Sequence, residues 1–251
     1  MLLSNCKKYI FFLLVILNGC SFCFEDSKKS GVVLGFDDYY PMTWEQHFDL
    51  FDKYGATVTF FVLGDTVSDF MTHAINRGHE IGYHTISHLR LSELSKEQFF
   101  EETISRISIF RDAGVVLTSF AYPFGNYETW MHSELLQYYK IVRGFDGKFF
   151  YTKNEMKSGF ISSKSIDNIN YKTVGFLSKR INLKYKILQD MYFKRTVNKM
   201  FRSARKQGKI ITLTSHCISD KDWGITPKRL EYVLRKGKKC DLTFYTYKSL
   251  Q

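Results

Sequence analysis

Adjacent carboxylates and closely spaced histidines are the residues of this sequence best suited to chemistry. Asp37 and Asp38 follow an apolar run, and His84 and His88 lie four residues apart behind another. Two histidines at this spacing can lie on one helix face and share a metal ion, or can be unrelated. Paired aspartates after a strand are either reactive carboxylates or ordinary turn residues. His216, behind a third apolar run, is either an acid–base group or a hydrogen-bonded structural histidine.

The elements that must position these residues are strands and helices in alternation. Ser95 and Gln98 predict a capping box at one helix start, and Thr226 followed by Pro227 predicts another start. Gly55, Gly78 and Gly114 are placed to end helices. The predicted strands cover residues 31–36, 57–63, 80–83, 116–122, 209–215 and 242–247, with weaker signals at 140–142 and 160–162.

This alternation predicts a parallel sheet with helices outside it. The short strands favour a closed or nearly closed barrel, and the first strand is followed by no glycine-rich phosphate loop of the Rossmann type. We expect a distorted α/β barrel with seven or so parallel strands in a single domain over residues 31–251. In such barrels the carboxyl ends of the strands share one face, where Asp37, His84, Tyr122 and His216 would meet.

Composition and the N-terminus indicate an exported globular protein. The 251 residues are 44% hydrophobic and 24% charged, and these fractions exclude intrinsic disorder as the main state. The formal net charge is +11. Lys7 and Lys8 precede an apolar run at 9–17 that is too short to span a bilayer but suits a signal peptide. We predict a signal peptide at 1–19 and a short linker at 20–30, with Cys20 either lipidated or lost in ordinary cleavage before Glu25.

Four segments in chain order resemble the motifs of the NodB-type polysaccharide deacetylases, carbohydrate esterase family 4. Thr-Phe-Asp-Asp-Gly of the family is matched by residues 35–39, and His-Ser/Thr-x-x-His is matched in full by 84–88. Arg-x-Pro-Tyr-Gly corresponds to residues 121–125, and Leu-x-His to 214–216. Each motif alone is weak to moderate, but together they are specific and cover nearly all of the chain after the predicted signal peptide.

The resemblance implies a metal site beside an acid–base pair. Asp38, His84 and His88 would bind a divalent cation, most simply Zn2+, with Co2+ and Ni2+ as alternatives. Asp37 would be the general base and His216 the general acid. The backbone N–H of Phe124 would help to hold the oxyanion. The residues expected to contact substrate are Tyr39, Tyr122, Pro123, Phe124 and Leu213, and the further aromatic residues placed to stack on sugar rings are Tyr40, Trp44 and Trp223.

The sequence also departs from the family pattern. Ala121 stands in place of the arginine that orients the base, and Arg143, near the end of the next predicted strand, is the candidate replacement. Tyr39 replaces a glycine, and Thr214 stands where the family has the leucine of its acetyl pocket, with Leu213 one position away. A fourth motif with its aspartate and tryptophan is not recognisable in the expected order.

These features predict a metal-dependent hydrolase that removes N-acetyl groups from the amino sugars of a polysaccharide or cell-wall glycan. The alternatives are a weakly active or inactive carbohydrate-binding relative, and an O-deacetylase or small amidase of the same superfamily. We expect an acetylated glycan as substrate, a monomer, no nucleic-acid partner, and a lipid anchor or secretion. Between Lys172 and Lys209 lie 12 Lys or Arg and one acid, Asp190. A solvated helix face is favoured there over a surface for an anionic membrane or glycan.

Overall fold

The computed structural model describes residues 30–145, 147–172 and 182–251. The predicted signal peptide 1–19, Cys20 and the rest of the predicted linker except Ser30 lie outside the described residues. Within the described part, no helix combines the length with the apolar character that a membrane span requires.

A curled, largely parallel sheet forms the centre of the molecule. The strands are β1 (Gly31–Phe36), β2 (Thr59–Val62), β3 (Glu80–Tyr83), β4 (Ser119–Ala121), β5 (Ile141–Gly144), β6 (Phe150–Tyr151), β7 (Phe160–Ser162), β8 (Lys164–Ser165), β9 (Ile210–Ser215) and β12 (Thr243–Tyr245), with β10 (Cys217–Ile218) and β11 (Gly224–Ile225) as a separate pair. The spatial order of the sheet is β6, β9, β1, β2, β3, β4, β5, β7, and β12 pairs with the first half of β1.

One short segment joins the two ends of this sheet. Strand β7 pairs parallel with β5, and β8, which follows after one residue, pairs parallel with β9. Only β6 runs antiparallel, against β9. The predicted α/β fold with a curled, nearly closed parallel barrel is therefore confirmed.

Helices cover the outside of the sheet, and several begin at the predicted caps. Ser95 and Gln98 form the capping box, and the Thr226 hydroxyl accepts a hydrogen bond from the N–H of Arg229. Gly55 ends its helix with φ at +60°. The helices are α1 (Pro41–Glu45), α2 (Phe48–Tyr54), α3 (Asp69–Asn76), α4 (Lys96–Thr103), α5 (Ile107–Asp112), α6 (Thr129–Leu135), α7 (Lys153–Met156), α8 (Asn182–Gln207) and α9 (Pro227–Lys239).

Two apolar layers hold the sheet in place. The larger one lies between strands and helices, where the Trp44 ring stacks on Phe60 at 5.0 Å and packs against Phe36 and Phe70. The smaller one fills the inside of the curl and includes Phe61 and Tyr247, whose ring centroids lie 5.5 Å apart. Much of the aromatic content of the sequence therefore belongs to the core in this larger layer and not to a sugar-binding surface.

A buried carboxylate anchors the C-terminal turn beneath the curl. Glu80, at the start of β3, accepts hydrogen bonds from the hydroxyls of Thr59, Thr118 and Ser119 and from the N–H of Lys248, all within 2.9 Å. These four hydrogen bonds compensate for the water that the carboxyl group loses on burial. The end of the chain is thereby fixed to the amino-terminal side of the sheet.

The structure excludes a helix at one place where it was an open possibility and corrects one helical prediction. His84 and His88 lie in a loop rather than on one helix face, with Thr85 at φ +79° and His88 at φ +56°. The helix expected after Ser95 is interrupted at Ile104, giving α4 and α5. The loop conformation, and not the 3.6-residue period, brings the two imidazoles to one place.

Candidate active site

The carboxyl ends of five parallel strands converge on one face and carry the polar groups of the site. Asp37 and Asp38 follow β1, His84 follows β3, and Arg143 lies within β5. Asp167 follows β8, and His216 follows β9. Parallel strands end at the same edge, so residues far apart in sequence become neighbours.

Asp38, His84 and His88 form the only group of three His, Cys, Asp or Glu side chains with metal-site spacing among the described residues. Asp38 Oδ1 lies 3.2 Å from His84 Nε2 and 3.1 Å from His88 Nε2, and the ligand atoms all lie within 4.8 Å of one another. Ligands at zinc distances in a tetrahedral arrangement are separated by about 3.4 Å. The three atoms therefore have the spacing of a shared cation.

The hydrogen bonds of this group also fit a metal ion. His84 Nδ1 lies 2.7 Å from the carbonyl oxygen of Ala121, which can only accept, so Nδ1 carries the proton and Nε2 presents a lone pair. Asp38 Oδ1 is buried and has no hydrogen-bond partner among the described groups. A lone pair and a carboxylate oxygen facing each other are repulsive unless a cation lies between them.

Left-handed backbone conformations are concentrated around this group. Of the six non-glycine residues with positive φ in the described chain, five are Asp38, Tyr39, Thr85, His88 and Phe124. Such conformations cost roughly 1–3 kcal/mol each and persist where the surroundings enforce them. The strain is therefore concentrated at the site and not spread through the fold.

A second carboxylate, Asp37, lies buried behind the first. Its Oδ2 accepts a hydrogen bond from Arg143 Nη2 at 2.5 Å and one from the Thr214 hydroxyl at 3.2 Å. Arg143 is fully buried between the rings of Phe61 and Phe145. Its register partner on β4 is Ala121, so the guanidinium comes from the strand beside the one that the family motif uses.

On the other side of the site, His216 is held by an aspartate that sequence reasoning missed. Asp167 Oδ2 lies 2.8 Å from His216 Nδ1, while Oδ1 accepts hydrogen bonds from the Ser215 hydroxyl and the His216 N–H. Asp167 is completely buried. In the sequence, Asp167 is a single acid a few residues after the weakly predicted strand at 160–162, and nothing there distinguishes it from an ordinary loop residue.

These contacts set the charge states of the site. Burial lowers the pKa of His216, but the hydrogen bond that its Nδ1–H donates to Asp167 and the charges of Asp37, Asp167 and Asp38 outweigh burial and raise the pKa to about 9. The site thus favours a protonated His216.

Aromatic side chains flank the polar groups at the open rim. The Phe124 ring, 55% exposed, lies 4.6 Å from the His88 ring, and the Arg90 guanidinium lies 4.4 Å from the centre of the same ring. Trp223, 58% exposed, lies 5.8 Å from the His216 ring. Tyr39 is half-buried, and its hydroxyl bonds to Ser68.

The other predicted substrate contacts lie in the interior. Tyr122 is fully buried, and its hydroxyl is 2.9 Å from His132 Nδ1. Pro123 is buried, and Leu213 packs in the layer between sheet and helices. The neighbour of Leu213, Thr214, faces the inside and contacts Asp37, as expected from the alternation of side chains along a strand.

Helix α4 fixes the loop between the two histidines. Glu102, which is 8% exposed, accepts hydrogen bonds on Oε2 from the N–H groups of Ile86 and Ser87 at 3.1 and 2.9 Å. The Thr85 hydroxyl accepts a further bond from the His88 N–H. These bonds hold a strained loop in the conformation that joins His84 and His88.

Comparison with known proteins agrees with this geometry. The family described as Polysaccharide deacetylase matches residues 25–139. The peptidoglycan-N-acetylglucosamine deacetylase of Bacillus cereus is 33% identical over 97 residues, which cover 33% of this chain and 46% of that protein. The match thus spans about half the length of the curated relative.

Solved structures with this fold include further deacetylases. A mutant of the peptidoglycan deacetylase PdaC from Bacillus subtilis is 19% identical with a TM-score of 0.57, covering 90% of this chain and 91% of that chain. The chitin deacetylase of the fungus Colletotrichum lindemuthianum is 15% identical with a TM-score of 0.59, covering 88% and 87%. At these identities the likeness shows the fold alone. The motifs and the family match over residues 25–139, just under half of the chain, make this protein similar to the polysaccharide deacetylases.

Proposed function

We propose that this protein is a metal-dependent deacetylase that removes N-acetyl groups from the amino sugars of a cell-wall glycan. The observation that carries the proposal is the grouping of Asp38, His84 and His88 between two differently held acid–base groups, Asp37 and His216. The relative from Bacillus cereus, named for peptidoglycan N-acetylglucosamine, favours that sugar as the substrate.

Asp37 has the contacts of a general base. Arg143 and Thr214 hold its Oδ2, while its buried Oδ1 has no partner among the described groups and is free to accept a proton. In the proposed reaction Oδ1 takes a proton from water as the water oxygen attacks the acetyl carbon. A cation held by Asp38, His84 and His88 supplies the Lewis acid that polarises the acetyl carbonyl and acidifies the water.

His216 has the contacts of a general acid. Its Nδ1 is bound to Asp167, so Nε2, 3.7 Å from Asp38 Oδ2, faces the site and carries the transferable proton. As the bond between carbon and nitrogen breaks, Nε2 gives its proton to the sugar nitrogen, and the products are acetate and a free amine. The Phe124 N–H is assigned to the oxyanion.

The inactive-relative alternative loses its main support. It rested on Ala121, on Thr214 and on the lack of a fourth motif. Arg143 now occupies the neighbourhood of the missing arginine, Thr214 contributes a hydrogen bond to Asp37, and Asp167 holds His216. Trp223 lies beside His216 although it follows it in sequence.

Acetate release tests the proposal. The protein is stripped with a chelator, reloaded with Zn2+ or Co2+, and given peptidoglycan, N-acetylated chito-oligosaccharides, an O-acetylated xylan and a small acetamide. We expect release from the N-acetylated glycans only, and a loss of about 10²–10⁴-fold in Asp37→Asn with metal content unchanged. Asp112→Asn, on the exposed surface of α5, is the matched control. Turnover of the xylan or the amide alone would favour the O-deacetylase or amidase alternative, and no turnover with metal bound would refute the proposal.

We also propose export of the protein, with Cys20 as a lipidation site. The relatives named for peptidoglycan act on a polymer that lies outside the cytoplasm. Cys20→Ala should move the protein from the membrane fraction to the soluble exported fraction. An unchanged distribution would contradict lipidation.

A further inference from the structure

The outer face of helix α8 carries large apolar side chains that are more than half exposed to solvent. Its inner face, with Phe193, Val197 and Phe201, is buried in the core. On the first turns of the outer face, Leu188 is 58% and Met191 61% exposed. Ile187 and Tyr192 beside them are also more than half exposed. These four large apolar side chains adjoin one another on the helix surface and form a patch, whereas single exposed apolar residues are normal in soluble proteins.

The remaining turns of the same face are basic. From Arg195 onward the outer positions are Lys199, Arg202 and Lys206, all exposed. Arg195, Lys199 and Arg202 form no salt bridge with any residue in the described ranges. The single acid of the helix, Asp190, is neutralised by Arg229 at 2.8 Å.

Two shallow grooves extend this surface on either side of the helix. One is lined by Phe149, Lys164, Tyr192, Arg195 and Lys199. The other is lined by Met191, Lys194, Arg202 and Tyr232. Both combine cations with apolar and aromatic side chains, and acidic residues do not line either of them.

We propose that the outer face of α8 docks on a membrane surface of anionic phospholipid. Cations with long side chains pair with the lipid phosphates, while Leu188, Met191 and Tyr192 enter the interface between head groups and acyl chains. A soluble polyanion would satisfy the charges but would leave the apolar side chains in water. The apolar residues therefore distinguish a membrane from a wall polymer.

Docking by this face leaves the active site accessible. Helix α8 leads into β9 through one tight turn at Gly208, so helix and strand run in opposite directions. With α8 flat on the surface, the strands lie roughly parallel to the membrane and the mouth of the site opens sideways. The enzyme would then work on glycan close to the membrane.

Vesicle co-sedimentation tests the proposal. The full chain carries Phe12→Asp, Val15→Asp and Cys20→Ser, so that neither the N-terminal apolar run nor a lipid on Cys20 contributes. Binding is compared between vesicles of neutral phosphatidylcholine and vesicles containing 30% phosphatidylglycerol. We expect binding only to the latter, weakened by added salt.

Two sets of substitutions separate charge from apolar contact. Arg195→Gln, Lys199→Gln and Arg202→Gln together should weaken binding by about 100-fold, because each cation near an anionic surface contributes about fivefold. Leu188→Ser with Met191→Ser should weaken it by at least about tenfold. Two matched controls change residues that are exposed elsewhere on the protein, and both should bind like the parent. The charge control combines Lys157→Gln, Lys238→Gln and Lys239→Gln, and the apolar control combines Ile109→Ser and Val116→Ser.

Three outcomes would overturn the proposal. One is equal binding to both kinds of vesicle. Another is equal loss in the control variants, since any surface charge would then serve. The third is a loss with the charge variant but none with Leu188→Ser and Met191→Ser, accompanied by equally tight binding to soluble polyphosphate, which would indicate a polyanion site.

Discussion

At the scale of single residues, the proposed chemistry depends on the two side chains that hold the acid–base groups as well as on the candidate metal ligands. Asp37 is aligned by Arg143 from β5, and His216 is aligned by Asp167 from the segment after β8. Each partner is buried, so the pairing acts in an environment of low dielectric and is only weakly screened. Substitution of either partner should therefore alter a specific kinetic property.

Exchanging an arginine between two strands tests the role of Arg143. Arg143→Ala should lower kcat by about 10²-fold, because Asp37 loses the group that orients it. Ala121 is the register partner of Arg143 and is also buried inside the curl. Ala121→Arg combined with Arg143→Ala should recover part of kcat, measured as acetate release. If the double variant folds, as judged by thermal denaturation, but gains nothing over the single one, Arg143 has only a structural role.

The pH profile tests the role of Asp167. Its carboxylate stabilises the imidazolium of His216, whose pKa is raised to about 9, so the acid form persists into alkaline solution. In Asp167→Asn that pKa falls, and the alkaline limb of kcat should move down by at least about one pH unit. The limb of the profile at low pH, which reports the ionisation of the general base, should stay in place. An unmoved alkaline limb would contradict the assignment of His216 as the acid.

At the scale of elements, the sequence predicted most of what local chemistry decides. The capping box at Ser95, the Thr226 cap and the glycine stop at Gly55 were confirmed because each depends on neighbouring residues. The convergence of strand ends follows from parallel pairing and could also be expected. The loop at His84–His88 could not, because its shape is set by Glu102, 14 residues beyond His88.

Glu102 links helix α4 to the affinity for metal. Glu102→Ala removes the carboxylate oxygen that accepts from the N–H groups of Ile86 and Ser87, leaving only the bond from the Ile86 N–H to the backbone carbonyl of residue 102, and the loop should relax from its strained conformation. We expect metal affinity to fall by about 10–100-fold, the usual effect of losing an outer-shell partner. Competition with a chromogenic chelator measures it. Glu97→Ala, at the exposed start of the same helix, is the control, and equal affinities in the two variants would contradict the linkage.

At the scale of the whole molecule, the C-terminal turn supports the barrel beneath the site. Tyr247 is fully buried against Phe61, and the Lys248 N–H satisfies Glu80. From the sequence we predict only a last strand, at residues 242–247. The filling of the curl depends on contacts of residues 247 and 248 with Phe61 and Glu80, which are far away in sequence, so no local pattern reveals it.

Removal of residues 246–251 should therefore destabilise the whole protein. The lost ring leaves a cavity beside Phe61, and Glu80 loses a donor, so the free energy of unfolding should fall by about 3–5 kcal/mol. Tyr247→Phe should change it by less than about 1 kcal/mol, since the buried hydroxyl has no partner among the described groups. Urea denaturation measures both. A truncated protein as stable as the parent would show that the turn is dispensable.

The position of Arg143 has a consequence for how related genes are sorted. A guanidinium can move from one strand to the next and still reach the same carboxylate, because adjacent parallel strands present equivalent side chains a few ångströms apart. Surveys that demand an unbroken linear signature would discard this gene as degenerate. Three-dimensional templates, built on which atoms meet rather than on their order in the polypeptide, would recognise the pairing of guanidinium and carboxylate in this protein.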